Sequence, residues 1–227
     1  MIYAVLRWLM RAITRTYLIG LFQVVGSENV PRNGPLIICP SHSATLDPPM
    51  VPAFTPRANT WSMAKSEYFV GGVVEFFFRQ YHAFPVVRHS ADRNALRRSF
   101  DLLKEGHALI IYPEGTRVES GVLATPEPGA GFIAQKAACP VVAVGLTGTR
   151  ECLPKGAHWP RRVPVTITFG KPFLVATRRP DGTRVSHQDA ADAIMVEIAE
   201  LLPERQRGAF SDLPEQRKRL AGVTQPV

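Results

Sequence analysis

Residues 35–47 read Pro-Leu-Ile-Ile-Cys-Pro-Ser-His-Ser-Ala-Thr-Leu-Asp: an apolar run bounded by prolines, then at once a polar turn. A short, continuous apolar run between turn signals marks a buried strand. Residues 108–117 repeat the arrangement, with Ala-Leu-Ile-Ile-Tyr followed by Pro-Glu-Gly-Thr-Arg. This run reads as a central strand with a second polar turn at its end. Further strands are expected at 60–63, 83–87, 140–146 and 163–169. Between them, Ala95, Leu96, Phe100 and Leu103 recur at helical spacing, with Gly106 as the stop. Residues 129–138 read as a short helix. Ser186, with Asp189 three residues on, caps another whose apolar face is Ile194, Met195, Ile198, Leu201 and Leu202. Strands alternating with helices predict a single α/β domain: a largely parallel central sheet, mixed at an edge, flanked by helices.

Length and composition agree. A chain of 227 residues suits one full-sized domain with its own core, and 45% hydrophobic with 20% charged residues excludes a disordered chain or a coiled coil. No run of about 18 uncharged apolar residues exists, which argues against a conventional spanning helix. Lys plus Arg is 27 against 19 Asp plus Glu, a net charge of +8, so the expected partners are anionic. The 3 cysteines are far apart, lack metal-ligand spacing, and are read as buried free thiols. The histidines likewise show no metal-ligand spacing, and no metal or cofactor is expected.

The two ends differ from the middle. In residues 1–20, Arg7, Arg11 and Arg15 recur every fourth position, and a helix places them on one stripe. Ile2, Val5, Leu6, Leu9, Ile13 and Leu18 fill much of the rest, with Trp8 as an aromatic anchor. Such a helix can lie in a membrane interface, or it can cover the core of its own domain. Residues 1–24 are therefore set apart as an N-terminal amphipathic, membrane-associating helix. The apolar run 68–78 is open in the same way between a buried helix and one dipping toward acyl chains. After Pro203 the chain is polar, and residues 204–227 are expected to form a loosely held tail.

The chemistry-bearing residues cluster at strand ends, where open α/β sheets bind ligands. His42 follows the strand at 36–39 and can take a proton near neutral pH. Asp47 could hold the other ring nitrogen and stabilise the imidazolium. Along a regular helix the two side chains would diverge by roughly 140°. A turn must therefore fold Asp47 back, and Pro48 and Pro49 suggest a non-regular stretch there. At the second strand end, Gly115 permits close backbone approach, Thr116 offers a hydroxyl, and Arg117 a donor fork suited to phosphate or carboxylate. Glu114 can hold an arginine or accept from a substrate hydroxyl. Arg88 ends the strand at 84–87, and two arginines at neighbouring strand mouths make an anion pocket.

His42-Ser-Ala-Thr-Leu-Asp47, Phe84-Pro-Val-Val-Arg88, Tyr112-Pro-Glu-Gly-Thr-Arg117 and Cys139-Pro-Val-Val-Ala-Val144 stand in the order of the four blocks of the glycerolipid acyltransferase superfamily. The chain most resembles its 1-acyl-glycerol-3-phosphate acyltransferases, over about residues 25–175. Tyr112, Val118 and Val86-Val87 depart from the commoner residues of those blocks. The resemblance implies a catalytic domain over 25–203 that moves a fatty acyl group from a thioester, on coenzyme A or acyl carrier protein, to the free hydroxyl of a lysophospholipid. His42 would be the base and Asp47 its orienter, with an oxyanion held by backbone N–H groups near Gly115. Arg88, Glu114, Gly115, Thr116 and Arg117 would hold the acceptor. The expected location is the cytoplasmic face of the cell membrane, peripheral or monotopic, on an anionic surface. Another lysolipid acceptor and a non-catalytic membrane binder are the competing readings. Nucleic-acid binding lacks a recognisable motif. No Gly-x-Ser-x-Gly elbow exists, so direct transfer is expected rather than an acyl-serine route.

Overall fold

The structure, a computed structural model, describes residues 1–87, 92–118 and 120–227. In chain order its elements are α1 (Ile2–Tyr17), β1 (Phe22–Val25), β2 (Leu36–Pro40), α2 (Asp47–Phe54), β3 (Thr60–Lys65), α3 (Gly72–Gln80), β4 (Ala83–Val86), α4 (Arg93–Lys104), β5 (Ala108–Ile110), α5 (Pro128–Ala137), β6 (Val141–Thr147), α6 (Thr149–Cys152), β7 (Val165–Phe169), β8 (Phe173–Val175), α7 (His187–Glu200), α8 (Leu213–Arg219) and β9 (Thr224–Pro226).

The strands form one sheet in the order β1-β7-β6-β2-β5-β3-β4, with β8 beside β6 and β9 beside β8. The centre is parallel: β2 pairs with both β5 and β6, and β3 with both β5 and β4. Antiparallel pairing is confined to the β6–β7, β6–β8 and β8–β9 contacts, which makes one side of the sheet mixed, as expected.

Every residue of β2 is buried because both sheet faces are covered. Ile37 and Cys39 point into the layer built by α4, α5 and α7, and Leu36 and Ile38 into the layer beneath α2 and the end of α1. That alternation is the pleat of a strand read in three dimensions. It also explains why the run carries no polar residue.

Two expectations change, and one left open takes a definite form. The prolines after Asp47 do not break regular structure. They lie in the first turn of α2, where backbone N–H groups have no intrahelical partner and their absence is harmless. The run 68–78 becomes a 3₁₀ turn and then α3, whose Val73, Val74, Phe76 and Phe77 are exposed.

Residues 204–227, expected as a loose tail, fold back onto α7. Phe210, Leu220 and Val223 are buried in the core, and β9 pairs with β8. Arg217 bridges Glu197 at 2.6 Å and Glu200 at 2.8 Å, and Arg219 meets Asp192 at 2.7 Å. The polar composition hid three isolated apolar anchors.

Candidate active site

β2 and β5 are parallel neighbours, so the turns that follow them emerge on the same side of the sheet. The first turn is fixed to β6: Ser41 N–H donates to Val144 O, and Ser41 Oγ accepts from Leu146 N–H at 3.0 Å. His42 follows, and its ring packs 4.5 Å from that of Tyr112.

The chain then doubles back. Asp47, the first residue of α2, is fully buried, and its Oδ2 lies 3.0 Å from His42 Nδ1. The same oxygen accepts from Ser43 N–H at 2.8 Å and Ala44 N–H at 2.7 Å. An oxygen holding two N–H donors is an acceptor, so the third contact is donated by Nδ1–H. That leaves Nε2 with its lone pair. The His42 side chain is 15% exposed, enough for a small reactant to reach it. Asp47 Oδ1 and the Tyr112 hydroxyl are buried without a hydrogen-bond partner among the described residues. Burial, with the Asp47 charge adding, pushes the Tyr112 phenol well above its usual range.

Glu114 is a brace. Its Oε1 accepts from His42 N–H at 3.1 Å and its Oε2 from Ala124 N–H at 3.0 Å, while Val118 N–H donates to His42 O at 2.9 Å. Both edges of the His42 peptide are thus held by the second turn. Each carboxylate oxygen accepts from a backbone amide. Burial raises the Glu114 carboxyl from 4.5 to about 7, with Asp47 adding to it and the Ala124 and His42 amides opposing.

Between those two values the folded state binds a proton that the unfolded chain does not. The stabilising contribution of this group is therefore full below about 4.5 and is lost as pH rises through about 7. The melting temperature of the wild type minus that of Glu114→Gln is expected to fall between about pH 5 and about pH 8. A pH-independent difference would show that Glu114 titrates normally.

Gly115 adopts φ of +65°, and a Cβ there would meet Glu127 Cγ at 3.0 Å, so the turn requires glycine. Its N–H donates to Tyr112 O at 3.0 Å. That amide is therefore engaged within the turn. Thr116 is exposed. Arg117 Nη1 donates to Thr45 Oγ1, which places the guanidinium against the His42–Asp47 turn. His42, Asp47, Glu114, Gly115, Thr116 and Arg117 thus share one locality. Arg88 lies outside the described residues.

The structure adds groups that sequence reasoning missed. A small cavity beside His42 is lined in part by Leu123, Leu146, Leu202 and Gln206. Gln206 Oε1 is buried without a hydrogen-bond partner among the described residues, and Gln206 O accepts from Leu123 N–H at 2.8 Å. Gln206 belongs to the segment expected to be a tail, and no local signal ties it to position 42.

A buried carboxylate orienting a histidine at a parallel strand end, with an arginine beside it, is the equipment of an α/β enzyme that activates a hydroxyl for group transfer. The family model "Acyltransferase" matches residues 21–147, more than half of the chain. The chain is 31% identical over 140 residues to the 1-acyl-sn-glycerol-3-phosphate acyltransferase of Bacillus subtilis (strain 168), covering 60% of this chain and 69% of that one. It is 28% identical over 138 residues to the chloroplastic enzyme BAT2 of Brassica napus, covering 60% of this chain and 40% of the relative. The crystal structure of the 1-acyl-sn-glycerophosphate acyltransferase PlsC from Thermotoga maritima superposes with a TM-score of 0.66 at 23% identity, over 88% of this chain and 79% of that one. This chain belongs to the acyltransferase family and, within it, to the 1-acylglycerol-3-phosphate O-acyltransferase group.

Proposed function

We propose that this chain transfers a fatty acyl group from a thioester of coenzyme A or acyl carrier protein to the free hydroxyl of 1-acyl-glycerol-3-phosphate, giving phosphatidic acid. The single observation that carries this reading is the His42–Asp47 pair, braced by Glu114 and with Arg117 bonded to Thr45 of the same turn. An alcohol is a poor nucleophile at neutral pH. His42 Nε2 takes the hydroxyl proton as the oxygen attacks the thioester carbonyl, and Asp47 stabilises the imidazolium. The tetrahedral intermediate collapses, the carbon–sulfur bond breaks, and the thiolate takes the proton back from His42. Arg117, with Arg88, neutralises the acceptor's phosphate.

Acceptor and product are both membrane lipids, and the surface supports catalysis at a bilayer. Among the described residues no helix is long and apolar enough to cross a membrane. Yet α1 turns its apolar side outward: Ile2, Val5, Trp8, Leu9 and Ile13 are exposed, while Arg7 is buried against the protein. The loop at 153–164 is tied to the end of α1 by Tyr17 OH donating to Pro160 O at 2.5 Å, and it presents Trp159 at 83% exposure beside Arg161 and Arg162. Exposed apolar faces rimmed with cations suit a peripheral position on an anionic, cytoplasmic leaflet.

The double substitution Leu9→Glu, Ile13→Glu removes two apolar anchors of about 1.5–3 kcal/mol each. It is expected to weaken sedimentation with phosphatidylglycerol vesicles by roughly tenfold or more while leaving the melting temperature unchanged. Wild-type vesicle binding would remove this face from the membrane. The function itself is tested by incubating purified protein with each thioester donor and a panel of lysophospholipids. Phosphatidic acid is the expected product, and transfer to a different lysolipid alone would redirect the acceptor assignment.

A further inference from the structure

α2 has only eight residues and carries Asp47 in its first turn, so the placement of the whole helix decides where the carboxylate stands. A helix this short does not hold itself. Pro52 inside it also removes one of its backbone donors. Its final carbonyls, like those of any helix, need outside partners.

Those partners come from α1. Arg7 Nη2 donates to Thr55 O at 2.5 Å, Arg11 Nε donates to Ala53 O, and Arg11 Nη2 also reaches Thr55 O at 3.4 Å. Two guanidinium groups at a helix C-terminus also meet the negative end of its dipole. The other end of α2 is held by Tyr81, whose hydroxyl donates to Pro49 O at 2.6 Å, two residues from Asp47. The Tyr81 ring packs edge-on against Tyr3 of α1, with centroids 5.8 Å apart. α1 therefore grips α2 directly at its C-terminal end and, through Tyr3 and Tyr81, at its first turn. Two of the three arginines in the stripe, Arg7 and Arg11, are engaged in this grip, while Arg15 is exposed.

We infer that Arg7, Arg11 and Tyr81 are positioning residues for the transfer reaction: by fixing α2 they set Asp47 against His42. The inference rests on the reading of His42 and Asp47 as the catalytic pair. The side-chain hydrogen bonds of these three residues end on α2 carbonyls or on the Thr55 carbonyl just past it, and none ends on the 114–117 turn. Their loss acts on turnover rather than on substrate affinity.

Arg11→Met keeps the apolar stem and removes the donors, and Tyr81→Phe deletes one hydroxyl. Misplacing a reacting group by about 1 Å can cost up to about 10²-fold. Each variant is expected to lower kcat on the order of tenfold, with both KM values within about twofold of wild type. Arg11→Lys, whose ammonium can still reach Ala53 O, recovers most of kcat. Tyr81→Phe removes no packing volume, so it keeps the test decisive if Arg11→Met fails to fold.

His42→Ala is assayed alongside. An inactive His42→Ala with wild-type kcat in both Tyr81→Phe and Arg11→Met overturns the positioning role alone. An active His42→Ala overturns the catalytic assignment on which it rests. A loss of activity that tracks melting temperature and is not recovered by Arg11→Lys reduces the contacts to ordinary stability.

Discussion

His42→Ala is expected to lower acyl transfer by about 10³-fold or more at saturating substrates, because the alcohol loses the base proposed to take its proton. The imidazole makes one hydrogen bond through Nδ1 to Asp47, and its ring is not wholly buried. Truncation therefore costs about 1 kcal/mol and leaves Asp47 with the Ser43 and Ala44 amides. For a chain of this size that corresponds to a fall in melting temperature of only about 2–4 °C. Activity lost with the fold retained is the signature of a base. Wild-type turnover in this variant would end the mechanism proposed above.

Asp47→Ala should damage both properties. The carboxylate is fully buried, and one of its oxygens gathers Ser43 N–H, Ala44 N–H and His42 Nδ1–H. Removing it leaves two amides without their acceptor, at about 1–3 kcal/mol each where they stay dry. It also deletes the negative charge at the start of α2. A fall in melting temperature of roughly 5–10 °C is expected, together with a loss of turnover of at least about 10².

Asp47→Asn separates the two effects. Its amide oxygen can take over the bonds of Oδ2, so part of the melting temperature returns, less the cost of burying an NH2 where Oδ1 has no partner among the described residues. It carries no charge to stabilise the imidazolium, so turnover does not. Calorimetry and single-turnover assays on the two variants side by side make the comparison. Full activity in Asp47→Asn would leave Asp47 with a purely structural task.

Much of this arrangement was legible before any coordinates. The apolar runs at 36–39 and 108–110 are strands because nothing polar can stand in a layer covered on both sides. The need for a turn between His42 and Asp47 followed from the angular spacing of a helix. Its form did not: the prolines at 48 and 49 start α2 instead of breaking it, and the turn is closed by two amides on one carboxylate oxygen. Glu114 was legible as important, and its bracing contacts were not. Its partners are backbone amides at 42 and 124, and any residue type supplies an amide.

The sequence by itself determined the succession of strands and helices, the strand ends at which reactive side chains collect, and the identity of those side chains. Each of these depends on residue type and short-range spacing. Only the tertiary structure decided which side of α1 meets the protein, that residues 204–227 pack into the core and bring Gln206 to the His42 cavity, and that Glu114 braces the His42 backbone. An amphipathic pattern says that two faces differ, not which of them is turned inward. α1 is inverted because α2 ends in carbonyls that need donors, and the arginines of α1 are the ones the fold brings within reach.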